Sequence, residues 1–305
     1  MKGALKLGTR GSALALAQAE AVAAAIGGAE IVPITTSGDR GEGGDKARFV
    51  KENEQALIDD EVDLAVHSAK DLPGELAGGL ALVGVTARED PADAFIGSAG
   101  SPEEIAEGAR IGTSSLRRRA QLAALRDDLE LAPVRGNVDT RLAKLEAGEF
   151  DGLVLAAAGL RRLDRADAIA FRFDGGQMTP AAGQGTIAIE AREGDAAAAE
   201  AAAELTDRAA LIELTAERAA VAALDASCNT PVGLHARLDD ERLELDGFAG
   251  LPDGSRWVRD SLWGDPEQPA TLGAELAERM LAAGAREVLD LAEDEAPASP
   301  PSAAG

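Results

Sequence analysis

Residues 110–119, RIGTSSLRRR, combine a short apolar strand, a threonine with two serines, and the start of a helix that carries three arginines. Serine or threonine directly before a helical run is typical of a helix N-cap. The pattern recurs in residues 129–134 followed by 135–141, and in residues 153–155 followed by 156–162. Three strand–helix units with short connections predict an α/β domain with a largely parallel sheet.

The arginines of these units are expected to share one edge of that sheet, because the carboxyl ends of parallel strands lie together. Residues 110–172 hold twelve basic and nine acidic side chains, whereas the rest of the chain holds 18 basic and 45 acidic ones. A small ligand with several carboxylates or phosphates fits such an edge. Solvated arginines at helix starts would explain any one of the three units, but they explain three equivalent positions poorly.

A similar unit opens the chain. Residues 4–8 are a predicted strand, Ser12 is the predicted cap of a helix that ends near residues 27–28, and residues 30–35 return as a strand. Arg10 and Ser12 therefore lie where the first strand ends, a position suited to binding an anion. An ordinary cap beside a solvated arginine is an equally good interpretation.

The stretch His67-Ser68-Ala69-Lys70-Asp71 follows another predicted strand, residues 63–66. Lys70 and Asp71 could bind the negative and the positive part of one ligand, or form a surface ion pair worth less than about 1 kcal/mol. His67 has no evident metal partners and is interpreted as structural. Residues 37–46 are glycine-rich and charged, which is compatible with a mobile lid carrying Lys46 or with a plain connector.

The rest of the chain predicts the remaining domains. A strand at 79–86, a break at 88–91, a strand at 94–96 and a helix at 102–107 precede the arginine-bearing units. A loop at 177–185 then leads to a strand at 186–190 and to helical residues 195–226 with a break near 206. The final pattern is antiparallel, with strands at 232–238, 243–249 and 256–262 covered by a helix at 272–283.

Four segments are predicted from these patterns. They are domain 1 at 1–88 with 183–203, the arginine-lined domain 2 at 89–182, domain 3 at 206–292, and a loose acidic and proline-rich tail at 293–305.

Cys228 is the single cysteine of the 305 residues and lies in domain 3, where the long helical pattern ends. A lone thiol closes no internal disulfide and builds no multi-cysteine metal site, so burial, reaction and attachment are its options. Burial is the default for a free cysteine. However, the neighbours Ser227, Asn229 and Thr230 are polar, and Asn-Thr-Pro is typical of a turn that could face a cleft.

Charge limits the possible partners. The formal net charge is −24, from 54 acidic and 30 basic residues, which disfavours nucleic acid and anionic membranes. The acidic excess and the scarcity of lysine fit either a general solubility coat or adaptation to a salt-rich cytosol, and we favour the second. The chain shows neither a signal-peptide pattern nor eighteen consecutive apolar residues, so a cytoplasmic location is expected.

Taken in order, the motifs of the chain resemble those of the porphobilinogen deaminase (hydroxymethylbilane synthase) family from residue 9 to beyond residue 280. The matching motifs are Thr9-Arg10-Gly11-Ser12-Ala13-Leu14-Ala15, Phe49-Val50-Lys51-Glu52, His67-Ser68-Ala69-Lys70-Asp71-Leu72-Pro73, Arg88-Glu89-Asp90-Pro91, Gly112-Thr113-Ser114-Ser115-Leu116-Arg117-Arg118, Arg135-Gly136-Asn137-Val138, Ala158-Gly159-Leu160, Gly183-Gln184-Gly185, Glu217-Arg218-Ala219, and Cys228 with Pro231 and Gly233. The chain departs from the family pattern at Asp45 and Ala47 around Lys46, and at Ala13, Asn53 and Ser227.

The resemblance implies two related α/β domains like type II periplasmic binding proteins, plus a smaller C-terminal α+β domain. It also implies a dipyrromethane cofactor held through a thioether to Cys228. On this cofactor a monomeric enzyme joins four porphobilinogen molecules head to tail, loses ammonia each time, and releases hydroxymethylbilane. No metal, nucleic acid or membrane is expected as a partner.

The resemblance also assigns roles to individual residues. Asp71 is the implied catalytic carboxylate, which also contacts the cofactor and stabilises the cationic azafulvene left when ammonia departs. The implied cofactor ligands are Lys70, Ser12, Thr113, Ser115, Arg117, Arg118 and Arg141, and the implied substrate ligands are Arg10, Arg135, Arg141 and Arg162. The alternative is a non-catalytic carboxylate-binding protein of the same architecture, in which a thiol at residue 228 has no purpose.

Overall fold

The computed structural model describes residues 4–35, 48–227 and 230–294. They group into two compact units. The first comprises the chain up to Arg88 together with Thr186–Leu211, and the second comprises Glu89–Gly185 together with the residues from Ile212 onward. Predicted domain 2 and residues 212–292 of predicted domain 3 fall within the second unit. The boundaries of the three domains drawn from the sequence stay predictions.

The first unit is built on a five-stranded mixed sheet. Its strands lie in the order β2-β1-β3-β10-β4, with β1 parallel to β2 and β3, and β10 antiparallel to β3 and β4. The elements are β1 (Lys6–Arg10), α1 (Ala13–Ala25), β2 (Glu30–Ile34), α2 (Arg48–Ile58), β3 (Leu64–Ser68), a 3-10 turn (Ala69–Asp71), β4 (Leu80–Val85), β10 (Ile187–Arg192) and α6 (Ala196–Ala203).

Both faces of this sheet are covered by helices. On one face, Leu7, Leu64 and Ile189 share a buried cluster with residues of α1 and α6. On the other, Ala65 packs with Leu57 of α2. Helices on both faces explain why β3 and β10 are buried at almost every position instead of alternating between buried and exposed residues.

The second unit contains a sheet of the same design. Its order is β7-β6-β8-β5-β9, with β6 parallel to β7 and β8, and β5 antiparallel to β8 and β9. The antiparallel strand lies fourth in both sheets. The elements are β5 (Asp93–Gly97), β6 (Arg110–Gly112), α3 (Leu116–Leu125), β7 (Glu130–Ala132), α4 (Val138–Glu146), β8 (Gly152–Ala156), α5 (Ala157–Arg162) and β9 (Phe171–Arg172). Two sheets of one topology confirm the predicted pair of related α/β domains.

The C-terminal part of the second unit is a three-stranded antiparallel meander with helices on one face. Leu245 of the central strand shares a buried cluster with Leu276 and Met280. Its elements are α7 (Arg208–Ala223, in the second unit from residue 212), β11 (Val232–Asp239), β12 (Arg242–Gly250), β13 (Trp257–Gly264), α8 (Pro269–Ala282) and α9 (Ala285–Asp294). The predicted class, α/β with a smaller α+β part, is confirmed.

Two local predictions are wrong. The helix expected at 102–107 is only a 3-10 turn, Pro102–Glu104, because Ile105 turns to extended backbone and is buried. Residues 293 and 294, predicted as tail, end helix α9, whose buried Val288 and Ala292 cluster with Leu251. Val288 and Ala292 are four positions apart, which is the spacing of residues on one face of a helix. The acidic, proline-rich composition that follows them had suggested a tail instead.

Candidate active site

In the first unit, four predicted site residues lie at the carboxyl edge of the sheet. Arg10 is the last residue of β1, and Ser12 caps α1 by accepting a hydrogen bond from the Ala15 amide at 3.3 Å. Lys70 and Asp71 lie in the 3-10 turn that directly follows β3, the parallel neighbour of β1. Both are partly exposed. The predicted gathering of these residues at one sheet edge is confirmed.

The turn that carries Lys70 and Asp71 is held by buried neighbours. The Ala69 amide donates to the Thr186 carbonyl at 3.0 Å. The side-chain amide of Gln18, on α1, bonds the Ser68 hydroxyl at 3.0 Å. The start of the turn that carries Asp71 is therefore anchored to an adjacent helix and to the chain just before β10.

His67 lies beside a buried carboxylate, and its structural role stays a prediction. Its Nε2 lies 3.0 Å from Oε2 of Glu190, and both side chains are buried. Glu54 of α2 interacts electrostatically with both His67 and Glu190. Its burial raises the pKa, the bond from the Ala77 amide opposes that rise, and Glu190 adds to it.

In the second unit, the helices α3, α4 and α5 follow the parallel neighbours β6, β7 and β8, so their first turns lie at one edge of one sheet. This confirms the prediction drawn from the three strand–helix units. Ser115 caps α3 through the Arg118 amide at 3.4 Å, and Asn137 caps α4 through the Thr140 amide at 2.9 Å. Thr113 is fully buried, and its hydroxyl accepts from the Ser115 amide at 3.3 Å.

Arg117 and Arg118 are far more buried than the sequence suggested, with 4% and 7% of their surface exposed. Both bond the fully buried carboxylate of Asp93, the first residue of β5. Nη1 of Arg117 lies 2.6 Å from Oδ2, and Nε of Arg118 lies 2.8 Å from Oδ1. Further donors go to the carbonyls of Thr179 at 2.7 Å and Val154 at 3.0 Å. Each guanidinium thus has only part of its hydrogen-bonding capacity left for a ligand.

The electrostatics of this cluster are unusual because two arginines share one carboxylate. Burial opposes ionisation of Asp93, but the adjacent Arg117 and Arg118 outweigh it and hold the pKa of Asp93 well below its usual value. Burial lowers the pKa of Arg118, and Asp93 counteracts that effect. The cluster carries a net positive charge shielded from water.

The remaining predicted arginines are less well neutralised. Burial lowers the pKa of Arg141 to about 10, and repulsion by Arg118 adds to that effect. Within the described residues, the Arg141 side chain donates one hydrogen bond, to the Gly136 carbonyl at 2.8 Å. Within the described parts of the chain, neither Arg141 nor the exposed Arg135 has a carboxylate at ion-pair distance. Arg162 donates to the Gly185 carbonyl at 2.6 Å, and burial lowers its pKa while Glu89 acts in the opposite direction.

Cys228 and Lys46 lie outside the described residues, so the predicted attachment point and lid contact have no structural account. Beside Cys228, the Ser227 amide donates to the Thr230 hydroxyl at 2.6 Å. Strand β11 then begins at Val232, as predicted.

Three polar residues at the core of the second unit were given no role from the sequence, although Gln184 and Glu217 lie in motifs that match the family. Asp93 binds the two arginines, and Gln184 donates to Asp93 Oδ1 at 3.0 Å and to the Pro91 carbonyl at 2.6 Å. The fully buried Glu217 accepts from the Gly183 amide at 2.6 Å and the Ala236 amide at 2.8 Å. The available signal for Asp93 was a carboxylate opening an otherwise apolar strand, since a buried acid needs a partner.

Two absences complete the description. Among residues 4–35, 48–227 and 230–294, no cluster of three or more His, Cys, Asp or Glu side chains is arranged to bind a metal ion. In the same residues no helix combines the length and apolarity needed to cross a bilayer.

Comparison with known protein families covers nearly the whole chain. A family model described as "Porphobilinogen deaminase, dipyromethane cofactor binding domain" matches residues 5–200, and one described as "Porphobilinogen deaminase, C-terminal domain" matches residues 211–282. The porphobilinogen deaminase of Thermus thermophilus is 45% identical over 292 residues, which are 93% of this chain and 97% of that protein. The porphobilinogen deaminase of Trichlorobacter lovleyi is 42% identical over 298 residues, 94% of this chain and 96% of that protein.

Similarity to solved structures is weaker. The periplasmic VFT2 domain of BvgS from Bordetella pertussis is 15% identical with a TM-score of 0.39, covering 66% of this chain and 86% of that chain. A YaeC-family lipoprotein from Enterococcus faecalis is 12% identical with a TM-score of 0.41, covering 67% and 91%. Because two family models cover the chain almost end to end, and relatives above 40% identity span it, the chain belongs to the porphobilinogen deaminase family.

Proposed function

We propose that this chain is a transferase that condenses four porphobilinogen molecules head to tail onto a dipyrromethane primer, with loss of ammonia at each step, and releases hydroxymethylbilane. Family membership supports the reaction. The observation that carries the proposal is the group of desolvated arginines at the edge of the β7-β6-β8 sheet. Among the described residues, Arg117 and Arg118 share the carboxylate of Asp93, and Arg141 has no carboxylate at ion-pair distance.

The residues of this edge fit dipyrromethane. Each pyrrole ring of the cofactor carries an acetate and a propionate, and carboxylates are the groups that planar guanidinium forks bind best. An arginine whose pKa is lowered by burial, and which has no carboxylate partner among the described residues, is stabilised when an anion arrives. Arg141 is such a residue.

Ligand roles follow the sequence assignment. As the resemblance implies, the residues that would hold the cofactor anchored by Cys228 are Ser12, Lys70, Asp71, Thr113, Ser115, Arg117, Arg118 and Arg141. Because Arg117 and Arg118 are mostly buried and bonded to Asp93, they present only their remaining N–H groups. The substrate carboxylates would bind Arg10, Arg135, Arg141 and Arg162.

The residues at the end of β3 would perform the chemistry. When bound, the cofactor supplies the terminal pyrrole carbon to which the first substrate unit is joined. Loss of ammonia leaves a positive charge on the substrate, and the negative charge of the Asp71 carboxylate would stabilise it. The backbone of the turn that carries Asp71 is anchored by the Ala69–Thr186 bond. Asp71 would also accept pyrrole N–H groups and orient the two rings.

The setting of the enzyme is also a proposal. We infer a cytoplasmic monomer, organised in the three predicted domains, that works without nucleic acid or membrane and is adapted to high salt. The net charge of −24 supports the absence of nucleic acid and anionic membrane partners, because it repels polyanions. It also supports adaptation to salt, because salt screens the repulsion among the carboxylates.

The test is stoichiometric. The purified protein is incubated with porphobilinogen, and the linear tetrapyrrole, the ammonia released and the substrate consumed are all quantified. We expect four porphobilinogen consumed and four ammonia released per tetrapyrrole, with no product from Cys228→Ala. Binding of porphobilinogen without consumption, equal in the wild type and Cys228→Ala, would support the alternative, a carboxylate-binding protein.

A further inference from the structure

A single buried carboxylate organises the first turn of α3. Asp93 is fully buried and accepts hydrogen bonds from three side chains. Arg117 donates through Nη1 at 2.6 Å and Nη2 at 3.2 Å, Arg118 through Nε at 2.8 Å, and Gln184 through its amide at 3.0 Å. Nothing in the proposed reaction requires Asp93 itself.

The charges around Asp93 do not balance as those of a structural ion pair would. A buried pair is tolerated when one cation meets one anion and the remaining donors are satisfied. Here two guanidinium ions share one carboxylate, and the electrostatic effect of Arg118 reaches Arg141, a third cation. The arrangement maintains an excess of positive charge in a place where water cannot stabilise it.

The two guanidinium groups are also fixed in orientation. Arg117 is held by Asp93 and by the Thr179 carbonyl at 2.7 Å, and Arg118 by Asp93 and by the Val154 carbonyl at 3.0 Å. Partners on both sides of a planar fork leave the side chain little freedom to rotate. Such rigidity is what a site needs if it must bind carboxylates in one geometry.

We propose that Asp93 is a positioning residue. Its carboxylate holds Arg117 and Arg118 side by side at the start of α3, so that their remaining N–H groups meet the carboxylates of the dipyrromethane primer. The inference rests on the proposed function. Gln184, which also bonds the Pro91 carbonyl at 2.6 Å, donates to Asp93 Oδ1, the oxygen that accepts from Arg118 Nε, and so helps to hold the carboxylate in place.

The test compares Asp93→Asn, Asp93→Glu and a control, Asp128→Asn. Asp128 also binds an arginine in a bidentate way, with Arg126 Nε at 2.6 Å and Nη2 at 2.7 Å, but it lies beyond the other end of α3. Proteins are purified from cells that cannot make porphobilinogen. Porphobilinogen is then added, and intact mass follows the rate of covalent primer attachment. The kcat and KM of turnover are measured separately, and urea unfolding gives the folded fraction.

A displaced guanidinium pair should slow the chemistry of protein that is still folded. We expect Asp93→Asn to lower the attachment rate and kcat per folded molecule about 10- to 100-fold. Asp93→Glu, which keeps the charge but shifts it by one methylene, should recover part of that loss, and Asp128→Asn should stay within about twofold of the wild type.

The outcomes separate the two proposals. If folded Asp93→Asn attaches the primer and turns over within about twofold of the wild type, Asp93 is only structural and the inference is overturned. If Asp93→Asn does not fold, Asp93→Glu provides the test. An Asp93→Glu protein that is less stable than the wild type but has the same attachment rate and kcat also overturns the inference. A wild type that never gains the primer contradicts the proposed function instead.

Discussion

At the level of single side chains, the predicted ligands Arg117 and Arg118 differ from Arg141 in their hydrogen-bond partners. Arg117 and Arg118 are neutralised in part by Asp93, whereas Arg141 has a carbonyl as its one hydrogen-bond partner and no carboxylate among the described residues. The three arginines therefore differ in how far a carboxylate of the fold neutralises them. Arg117 and Arg118 are fixed in the fold, and we propose that Arg141 keeps its charge available for a ligand.

Arg141 should be more important for function than for stability. Replacing it by methionine removes a desolvated cation that also repels Arg118, so we expect Arg141→Met to unfold in urea at the wild-type midpoint or above it. Its turnover should fall at least about tenfold, because one charge-assisted contact is lost. A variant of normal turnover and reduced stability would contradict this role.

Asp71 should matter mainly at the chemical step. We expect Asp71→Asn to lower kcat about 100-fold or more with little change in the urea midpoint, because the amide cannot stabilise a developing positive charge as a carboxylate does. Single-turnover measurements with intact-mass detection separate this step from primer attachment. Retention of more than about a tenth of wild-type kcat would argue against Asp71 as the catalytic carboxylate.

Glu54 gives a pH prediction with a definite sign. Its folded-state pKa is raised above 4.5, so the ionised form is disfavoured in the fold at neutral pH and protonation favours folding. Glu54→Gln cannot ionise, yet it still has an oxygen for the Ala77 amide. We expect it to match or exceed the stability of the wild type at pH 7. The free energy of unfolding of the wild type should rise relative to that of the variant as the pH falls toward 4.5. Urea unfolding measured at several pH values follows this difference. A deficit of the variant that is constant with pH would contradict this.

At the level of elements, helix α4 carries Arg141, and Asn137 defines its start. Asn137 Oδ1 accepts from the Thr140 amide at 2.9 Å and from its hydroxyl at 2.8 Å. We expect Asn137→Ala to cost about 1 kcal/mol and to raise KM more than it lowers kcat, because the first turn of α4 loosens around Arg141.

A cap elsewhere provides the control for this prediction. Asp195 caps α6 in the first unit through the Ala198 amide at 3.1 Å, and no predicted site residue lies on α6. Asp195→Ala should lose stability without a change in KM. If both variants raise KM equally, the effect of Asn137 is general destabilisation and not positioning of Arg141.

Most elements could be predicted from the sequence, because strand, cap and helix follow one another at regular spacing. Ser12 and Asn137 are observed caps, and β6, β7 and β8 are parallel neighbours. The helix at 102–107 failed because burial of Ile105 in extended backbone overrides local helical preference. Strand β9 was missed because two residues show no periodicity.

The site was predictable in its residues but not in their partners. Sequence spacing placed Arg117 and Arg118 at a sheet edge, yet it gave no sign that Asp93, 24 and 25 positions earlier, would bind both. Contacts between residues distant in sequence depend on the tertiary fold. The hydrogen bond from the Gln184 side-chain amide to Asp93 could not be predicted for the same reason.

At the level of the whole molecule, the charge of −24 makes salt a determinant of stability and activity. Charge repulsion among exposed carboxylates opposes folding and repels a dicarboxylate substrate, and at about 1 M salt the screening length is only about 3 Å. We expect both the melting temperature and the turnover rate to rise from dilute buffer to molar salt. A flat melting curve, or equal or better turnover in dilute buffer, would contradict adaptation to salt.

The central claim is that Cys228 carries a pyrrole primer from which the product grows. Intact-mass spectrometry of the purified full-length chain tests it most directly. We predict an excess over the sequence mass equal to two linked pyrrole units, absent from Cys228→Ala, and further increments of one pyrrole unit when porphobilinogen is supplied. A well-folded protein that has the unmodified mass, and keeps it in the presence of porphobilinogen, would contradict the account.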